Sequence, residues 1–272
     1  MNQITIRFRW IIILISMVTL ILGGCEDYFE YSPYAANVKS AHHGTFEKNM
    51  SLLKDQNEES SEEIKIAVIA DSHYNYHELN EAVININNQE NIDFVIANGD
   101  IADHGYLMEY ELFHEHMHKL KSPYLTVIGN HDYKSNGGEI YKKIYGSFNK
   151  SFEYNGHYFI LFDDVFWESG KNPDFKWLHS ELMKSVNYDK TFVFSHIPPY
   201  GEQFPDEFEI LYRKLMLAFE VDLSIHGHVH RYQYENYYND GMNYLSVESI
   251  MDKEYCILTI RDNSILVEAI KY

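Results

Sequence analysis

From residue 64 onward, short apolar runs alternate with stretches of helical periodicity. Residues 64–70 form a β-rich apolar run that stops at Asp71, and Leu79, Val83, Ile84 and Ile86 then follow at helical spacing. A second apolar run, 94–97, ends in Asn98-Gly99-Asp100. A helix is predicted over 107–120, and a strand over 124–128 ends in Gly129-Asn130-His131-Asp132. Strand, helix, strand, helix, strand at this spacing predicts a βαβαβ unit with a parallel core. A hairpin is predicted around Gly156, from 152–155 and 158–162. Strands over 190–194 and 221–225 run into Ser195-His196 and His226-Gly227-His228, and apolar stretches at 244–247, 255–260 and 265–270 close the chain. The recurring device is an apolar strand ending in a polar cluster. In open α/β sheets, ligand sites form outside the carboxyl ends of strands.

Before residue 64 the pattern differs. Arg7 and Arg9 precede a charge-free apolar stretch of 13 residues, 10–22. That is short of the ~20 residues needed to span a bilayer, so residues 1–24 read as a secretory signal. Residues 25–63 read as a tether, partly docked. They show no long periodic element, a short helix near 49–54, an aromatic stretch at 28–34 and an acidic run at 56–63 that stays solvated. Residues 64–272 then form the globular domain.

Composition narrows the function. The chain has 272 residues, 45% hydrophobic and 15% aromatic, which excludes a disordered protein. Its 41 acidic and 22 basic side chains give a net charge of −19, and removal of residues 1–24 would make it two charges more negative. A field of that sign repels polyanions, so nucleic acid is an unfavoured partner. Of the two cysteines, Cys256 lies in an apolar run and reads as a core residue.

The strand-end clusters carry the chemistry. In order they are Asp71-Ser72-His73, Gly99-Asp100-Ile101-Ala102-Asp103, Gly129-Asn130-His131-Asp132, Ser195-His196 and Gly227-His228-Val229-His230. Aspartate, asparagine and imidazole without thiolate suit manganese, iron or zinc. The donors are too many for one tetrahedral zinc and sufficient for two adjacent divalent ions.

These five motifs, from about 65 to 231, resemble those of calcineurin-like metallophosphoesterases. The resemblance implies an α/β fold of two mixed β-sheets packed as a sandwich and flanked by helices. It implies Asp71, His73 and His230 at one metal ion, Asp100 bridging, and Asn130, His196 and His228 at a second. His131 would contact the phosphate and give a proton to the leaving oxygen, oriented by Asp103 or a neighbouring carboxylate. The reaction implied is hydrolysis of a phosphomonoester or phosphodiester by metal-bound hydroxide. Where some family members carry a phosphate-gripping arginine, this chain has His104, which tilts the expectation toward diesters. Asp103 stands where purple acid phosphatases carry a tyrosine ligand, so no tyrosinate colour is expected. Tyr200 and Gln203, after Ile197-Pro198-Pro199, are the expected substrate contacts of the fourth-motif loop.

Leu22-Gly23-Gly24-Cys25 resembles the lipobox of bacterial lipoproteins, which implies lipidation of Cys25 and a membrane anchor. The expected location is periplasm-facing or at the cell surface, with a small-molecule or envelope phosphoester as substrate. The alternative is a lipoprotein binding module on the same fold that has lost turnover. For His226 a solvent or backbone partner is expected, with support of the metal ligands as the alternative. His114 and His118, at i, i+4 spacing, are expected on a solvated helix face, and His42-His43 in the tether.

Overall fold

Alternation along the strands decides the layering. In the first strand, β1 (Glu63–Ile69), Ile64, Ile66 and Val68 face one side and Ala67 and Ile69 the other, and all five are buried. A strand buried on both faces needs a layer on each, so β1 lies inside a sandwich. The computed structural model describes residues 32, 35–56, 63–261 and 264–272. Residues 36–272 form one compact unit, distinct from residues 1–35.

The first sheet contains β1, β2 (Phe94–Asn98), β3 (Tyr124–Val127), β10 (Glu254–Arg261) and β11 (Ser264–Lys271), in the order β11-β10-β1-β2-β3. Here β1, β2 and β3 are parallel, and β10 pairs antiparallel with β1. The second sheet contains β4 (Lys150–Tyr154), β5 (His157–Leu161), β6 (Thr191–Phe194), β7 (Leu223–His226), β8 (Gln233–Glu235) and β9 (Tyr244–Ser246). Its order is β4-β5-β6-β7-β9-β8, with β5, β6, β7 and β9 parallel. Both sheets are mixed, and six helices are described, so the α/β sandwich expected from the resemblance is the fold found.

Between the sheets, Ile66, Val68, Phe94 and Ile96 meet Phe159, Phe192, Phe194 and Ile225 in an aromatic-rich core. The outer face of the first sheet is covered by α2 (Tyr76–Asn88), α3 (Leu107–Met117) and α4 (Gly137–Tyr145). That of the second is covered by α5 (Phe175–Ser185) and α6 (Asp206–Ala218). The β4–β5 hairpin turns through Asn155 and Gly156 at φ +46° and +82°, the paired positive values a two-residue turn requires.

Two expectations for the amino-terminal region are corrected. The short helix near 49–54 is a 12-residue helix, α1 (Thr45–Gln56). Leu53 is fully buried against the inter-sheet core with Phe46 and Met50 beside it, and Asn49 Nδ2 donates to the Tyr124 carbonyl at 2.6 Å. The His114 face of α3 is not simply solvated: the His42 ring lies 4.4 Å from His114, and His114 Nδ1 pairs with the Tyr124 hydroxyl at 2.8 Å. Tertiary packing of the 38–45 segment covers a face that local spacing leaves open. The 28–34 stretch, apart from Ser32, and the 57–62 run lie outside the described residues.

Candidate metal centre

The parallel strands of both sheets deliver their carboxyl ends to one seam. Asp71 follows β1, Asp100 follows β2, Asn130 follows β3, His196 follows β6 and His228 follows β7. Hydrogen bonds tie the two sheets together there. Asn98 Nδ2 donates to the Ser195 carbonyl (3.0 Å), His196 Nδ1 donates to the Asn98 carbonyl (2.8 Å), and the His228 N–H donates to Asp71 Oδ2 (3.0 Å).

The loops are tight. Asp71, His73, Asp100, His228 and His230 all adopt positive φ, between 44° and 68°. For residues with a β-carbon this is a costly conformation that persists only where surrounding contacts impose it. Gly99, at φ +93°, lies beneath His196, and a Cβ there would come within 2.2 Å of His196 Nδ1. The ring occupies space that only glycine leaves.

Three sets of side chains converge with their ligand atoms within 4.8 Å of one another: Asp71, His73 and His230; His73, Asp100 and His131; and Asp100, His196 and His228. Asp71 and His196 are fully buried and Asp100 nearly so. His230 Nε2 lies 3.2 Å from Asp71 Oδ1, and His196 Nε2 lies 3.2 Å from Asp100 Oδ2. Asn130 joins the last set, its Oδ1 3.1 Å from His228 Nδ1, while its Nδ2 donates to Glu168 Oε1 at 3.1 Å.

The donor set fits divalent cations. Buried carboxylates are costly without a compensating charge. His196 Nε2 is buried and faces the Asp100 and Asp71 carboxylates at 3.2 and 3.7 Å, while its Nδ1 is held by a carbonyl. That is how a metal-binding histidine is oriented. Burial alone would lower the His196 pKa, but the Asp100 and Asp71 carboxylates raise it. Charges that draw a proton to this ring would equally draw a cation.

His131 stands within the cluster. Its N–H donates to Asp100 Oδ1 at 2.8 Å, and its Nδ1 lies 3.0 Å from Asp103 Oδ1 and 2.9 Å from the Asp103 carbonyl. Lys134 Nζ approaches the same ring, 2.8 Å from Nδ1 and 3.2 Å from Nε2. An ammonium and an imidazole N–H cannot share one nitrogen, so one ring nitrogen serves Asp103 and the other faces Lys134.

Supporting residues went unassigned in the sequence. Asp132 accepts from the backbone N–H groups of Gly129 (2.9 Å), Ala102 (3.0 Å) and Ile101 (3.3 Å), clamping the second motif to the third. Burial and the Asp100 charge push its pKa up. Asp164 accepts from the N–H groups of Ile197 (3.0 Å) and His196 (3.3 Å), and burial pushes its pKa up to about 7. Asp163-Asp164 directly after the apolar 158–162 run repeats the strand-end device and was a readable signal.

The His226 ring is buried, so a solvent partner is corrected: it lies between two serine hydroxyls, Ser224 (2.8 Å) and Ser195 (3.2 Å), with the Ile197 backbone as a further partner. The cleft beside the cluster has a volume of about 340 Å³. His104 does not line it. Its ring is exposed and meets Asp103 Oδ2 at 2.9 Å. Tyr200 does not line it either: its hydroxyl pairs with Ser246 Oγ (2.8 Å) and its ring stacks on Tyr237 at 4.0 Å. Gln203, from the same loop, does. Cys25 lies outside the described residues.

Comparison with known proteins adds a family match. A family model described as calcineurin-like phosphoesterase matches residues 64–232. A "probable glycerophosphodiester phosphodiesterase" of Arcobacter nitrofigilis is 30% identical over 56% of this chain and 62% of its own length. A "probable cyclic nucleotide phosphodiesterase" of Xenorhabdus bovienii is 39% identical over 21% of this chain and 23% of its own. The chain thus covers less than two thirds of either relative. Among solved structures, a purple acid phosphatase from yellow lupin superposes with a TM-score of 0.63 at 18% identity, over 78% of this chain and 52% of that one. GAP50 of Plasmodium superposes with a TM-score of 0.59 at 16% identity, over 77% and 84%. At these identities the two structures bear on the fold alone.

Proposed function

Because the chain belongs to the calcineurin-like phosphoesterase family, we propose that it is a metal-dependent phosphodiesterase acting on small substrates. The observation that carries this reading is the convergence of Asp71, Asp100 and His196, all buried, with His73, His228 and His230 at one seam. Two divalent ions, manganese, iron or zinc, would be held by Asp71, His73 and His230 on one side and Asn130, His196 and His228 on the other, with Asp100 between. When bound they supply Lewis acidity toward the phosphoryl oxygens and a nucleophilic water at neutral pH.

The protein's own groups do the rest. Asp103 holds the His131 ring through Nδ1–H, and Nε2, 3.2 Å from the Lys134 ammonium, would pass a proton from that ammonium to the leaving oxygen. Among the described residues lining the cleft there is no lysine or arginine. Beyond the metals, the Lys134 ammonium beside His131 offers one positive charge, which suits a monoanionic diester better than a dianionic monoester. Both curated relatives carry diesterase names, which supports the same choice.

For the site of action, the amino terminus is the support. Arg7, Arg9, the apolar stretch and Cys25 support a reading in which the protein is exported and lipid-attached and acts outside the cytoplasm on a membrane. The test of function is hydrolysis of bis(p-nitrophenyl) phosphate against p-nitrophenyl phosphate by protein loaded with manganese, zinc or iron. The diester should be cleaved with the higher kcat/KM, and chelation should abolish the activity. Metal binding without turnover of either ester would instead identify a silent binding module.

A further inference from the structure

The cleft is not lined by metal-site groups alone. Tyr74 and Met251 also line it, and these large side chains are left 62% and 50% exposed. Exposed apolar side chains inside a concave site are surface that a ligand can cover favourably. Both are carried on turns bonded to the metal-site loops. Tyr74 lies in a turn closed by the Asn75 N–H on the Ser72 carbonyl (2.9 Å), next to His73, whose N–H donates to the Asp100 carbonyl (2.9 Å). Met251 lies in a one-turn helix, Ile250–Asp252, where its N–H donates to Ser249 Oγ (3.2 Å). Ser249 Oγ in turn donates to the Asp71 carbonyl (3.0 Å). The apolar walls are thus set at a fixed place relative to the ligand loops before any substrate arrives, which reduces the ordering cost of binding.

A third group makes the wall selective. Gln203 lines the same cleft, and its Oε1 is buried without a hydrogen-bond partner among the described residues. A buried amide oxygen left unpaired is costly, and a ligand N–H or O–H would satisfy it. An aromatic ring, a thioether and an unsatisfied acceptor together match a planar heterocycle that bears a donor. Tyrosine stacks on such a ring, and methionine sulfur packs favourably against aromatic groups. A glycerol-sized leaving group would leave both walls in water.

We propose that Tyr74, Met251 and Gln203 form a leaving-group subsite for a nucleobase, so that the substrate is a small nucleoside phosphodiester. This deepens the diesterase reading and rests on it. The net charge of −19 disfavours long polyanionic chains, which leaves mononucleotide-sized diesters as the class.

The test is equilibrium binding to the manganese-loaded protein of AMP, ribose 5-phosphate and octyl phosphate. The first two present the same phosphate and ribose and differ in the base. AMP should bind at least about tenfold more tightly than ribose 5-phosphate, in line with the value of one stacked base. Tyr74→Ala and Met251→Ala should each erase most of that gap, and Tyr74→Phe should preserve it. Both positions are exposed, so folding is not at stake. Equal affinities for AMP and ribose 5-phosphate would overturn the proposal, as would a gap that survives both alanine variants. Octyl phosphate binding as tightly as AMP would assign the walls to aliphatic groups and overturn it too. Failure of the diesterase reading appears separately, as no cleavage of bis(p-nitrophenyl) phosphate.

Discussion

His131 and Asp100 touch through a backbone hydrogen bond, yet their expected roles differ. Asp100 contributes to two of the three converging sets and is almost completely buried, so its charge is what makes the seam a cation site. His131 is partly exposed and already held by Asp103, which suits a group that moves a proton rather than one that holds a metal. His131→Ala should therefore retain two metal equivalents by elemental analysis. It should lose turnover of diesters with poor leaving groups by about 10²–10⁴-fold, and lose less on nitrophenyl diesters, which need little protonation. Asp100→Asn should lose metal and activity together. Equal metal loss in both variants would contradict this division. These residues were readable because each is chemically distinctive and follows an apolar run. Asp132, which clamps two motifs together, was not, because its partners are backbone N–H groups that no side-chain pattern announces.

Helix α1 shows how an element can hide in plain sight. Phe46, Met50 and Leu53 stand at i, i+4 and i+7, a helical stripe, but a short one among polar residues. The stripe packs over Lys150, the first residue of β4. Lys150 Nζ lies 5.0 Å from the Phe46 ring centroid and donates to the Tyr145 carbonyl at 3.2 Å. Burial pushes its pKa down to about 7. The folded state then binds fewer protons than the unfolded state wherever pH lies between that value and the ordinary lysine value near 10.4. Stability from this group should rise with pH across that window, by up to about 1.4 kcal/mol per pH unit. Lys150→Met, which keeps an unbranched apolar stem, should be more stable than wild type at pH 7 and should lose most of that slope. Denaturant titrations at pH 7.5 and 9.5 measure both effects, and an unchanged slope would show that Lys150 stays charged in the folded state.

At the level of the full chain, charge and address matter more than packing. Among the described residues no helix is long and apolar enough to cross a membrane, so a membrane location rests on residues 1–25. Two or three acyl chains on Cys25 would hold the protein stably, whereas a polar acidic domain has no other evident affinity for an anionic surface. Cys25→Ala should shift the protein from the membrane pellet to the soluble fraction while kcat/KM toward bis(p-nitrophenyl) phosphate stays within about twofold. Continued sedimentation after a salt wash would show that something other than lipid holds it.

The parallel strands and the side chains that converge at the seam were legible in the primary structure, for one reason, whereas the two-sheet layering was expected only from the family resemblance. Strand-end motifs combine two local signals, an apolar run and a cluster of metal-binding side chains, and parallel strands bring such ends to one edge. What the chain alone left open depends on contacts distant in sequence. The seating of α1 over the sandwich depends on partners some 75 residues away, as in the bond from Asn49 to Tyr124. The serine pair around His226 belongs to the same class, since Ser195 comes from another strand. So does the apolar wall, in which Tyr74 and Met251 meet across most of the domain's length in sequence. Local pattern specifies which residues can serve a site, and the packing of one sheet on the other, tied by the Asn98–Ser195 and His228–Asp71 bonds, decides which of them share it.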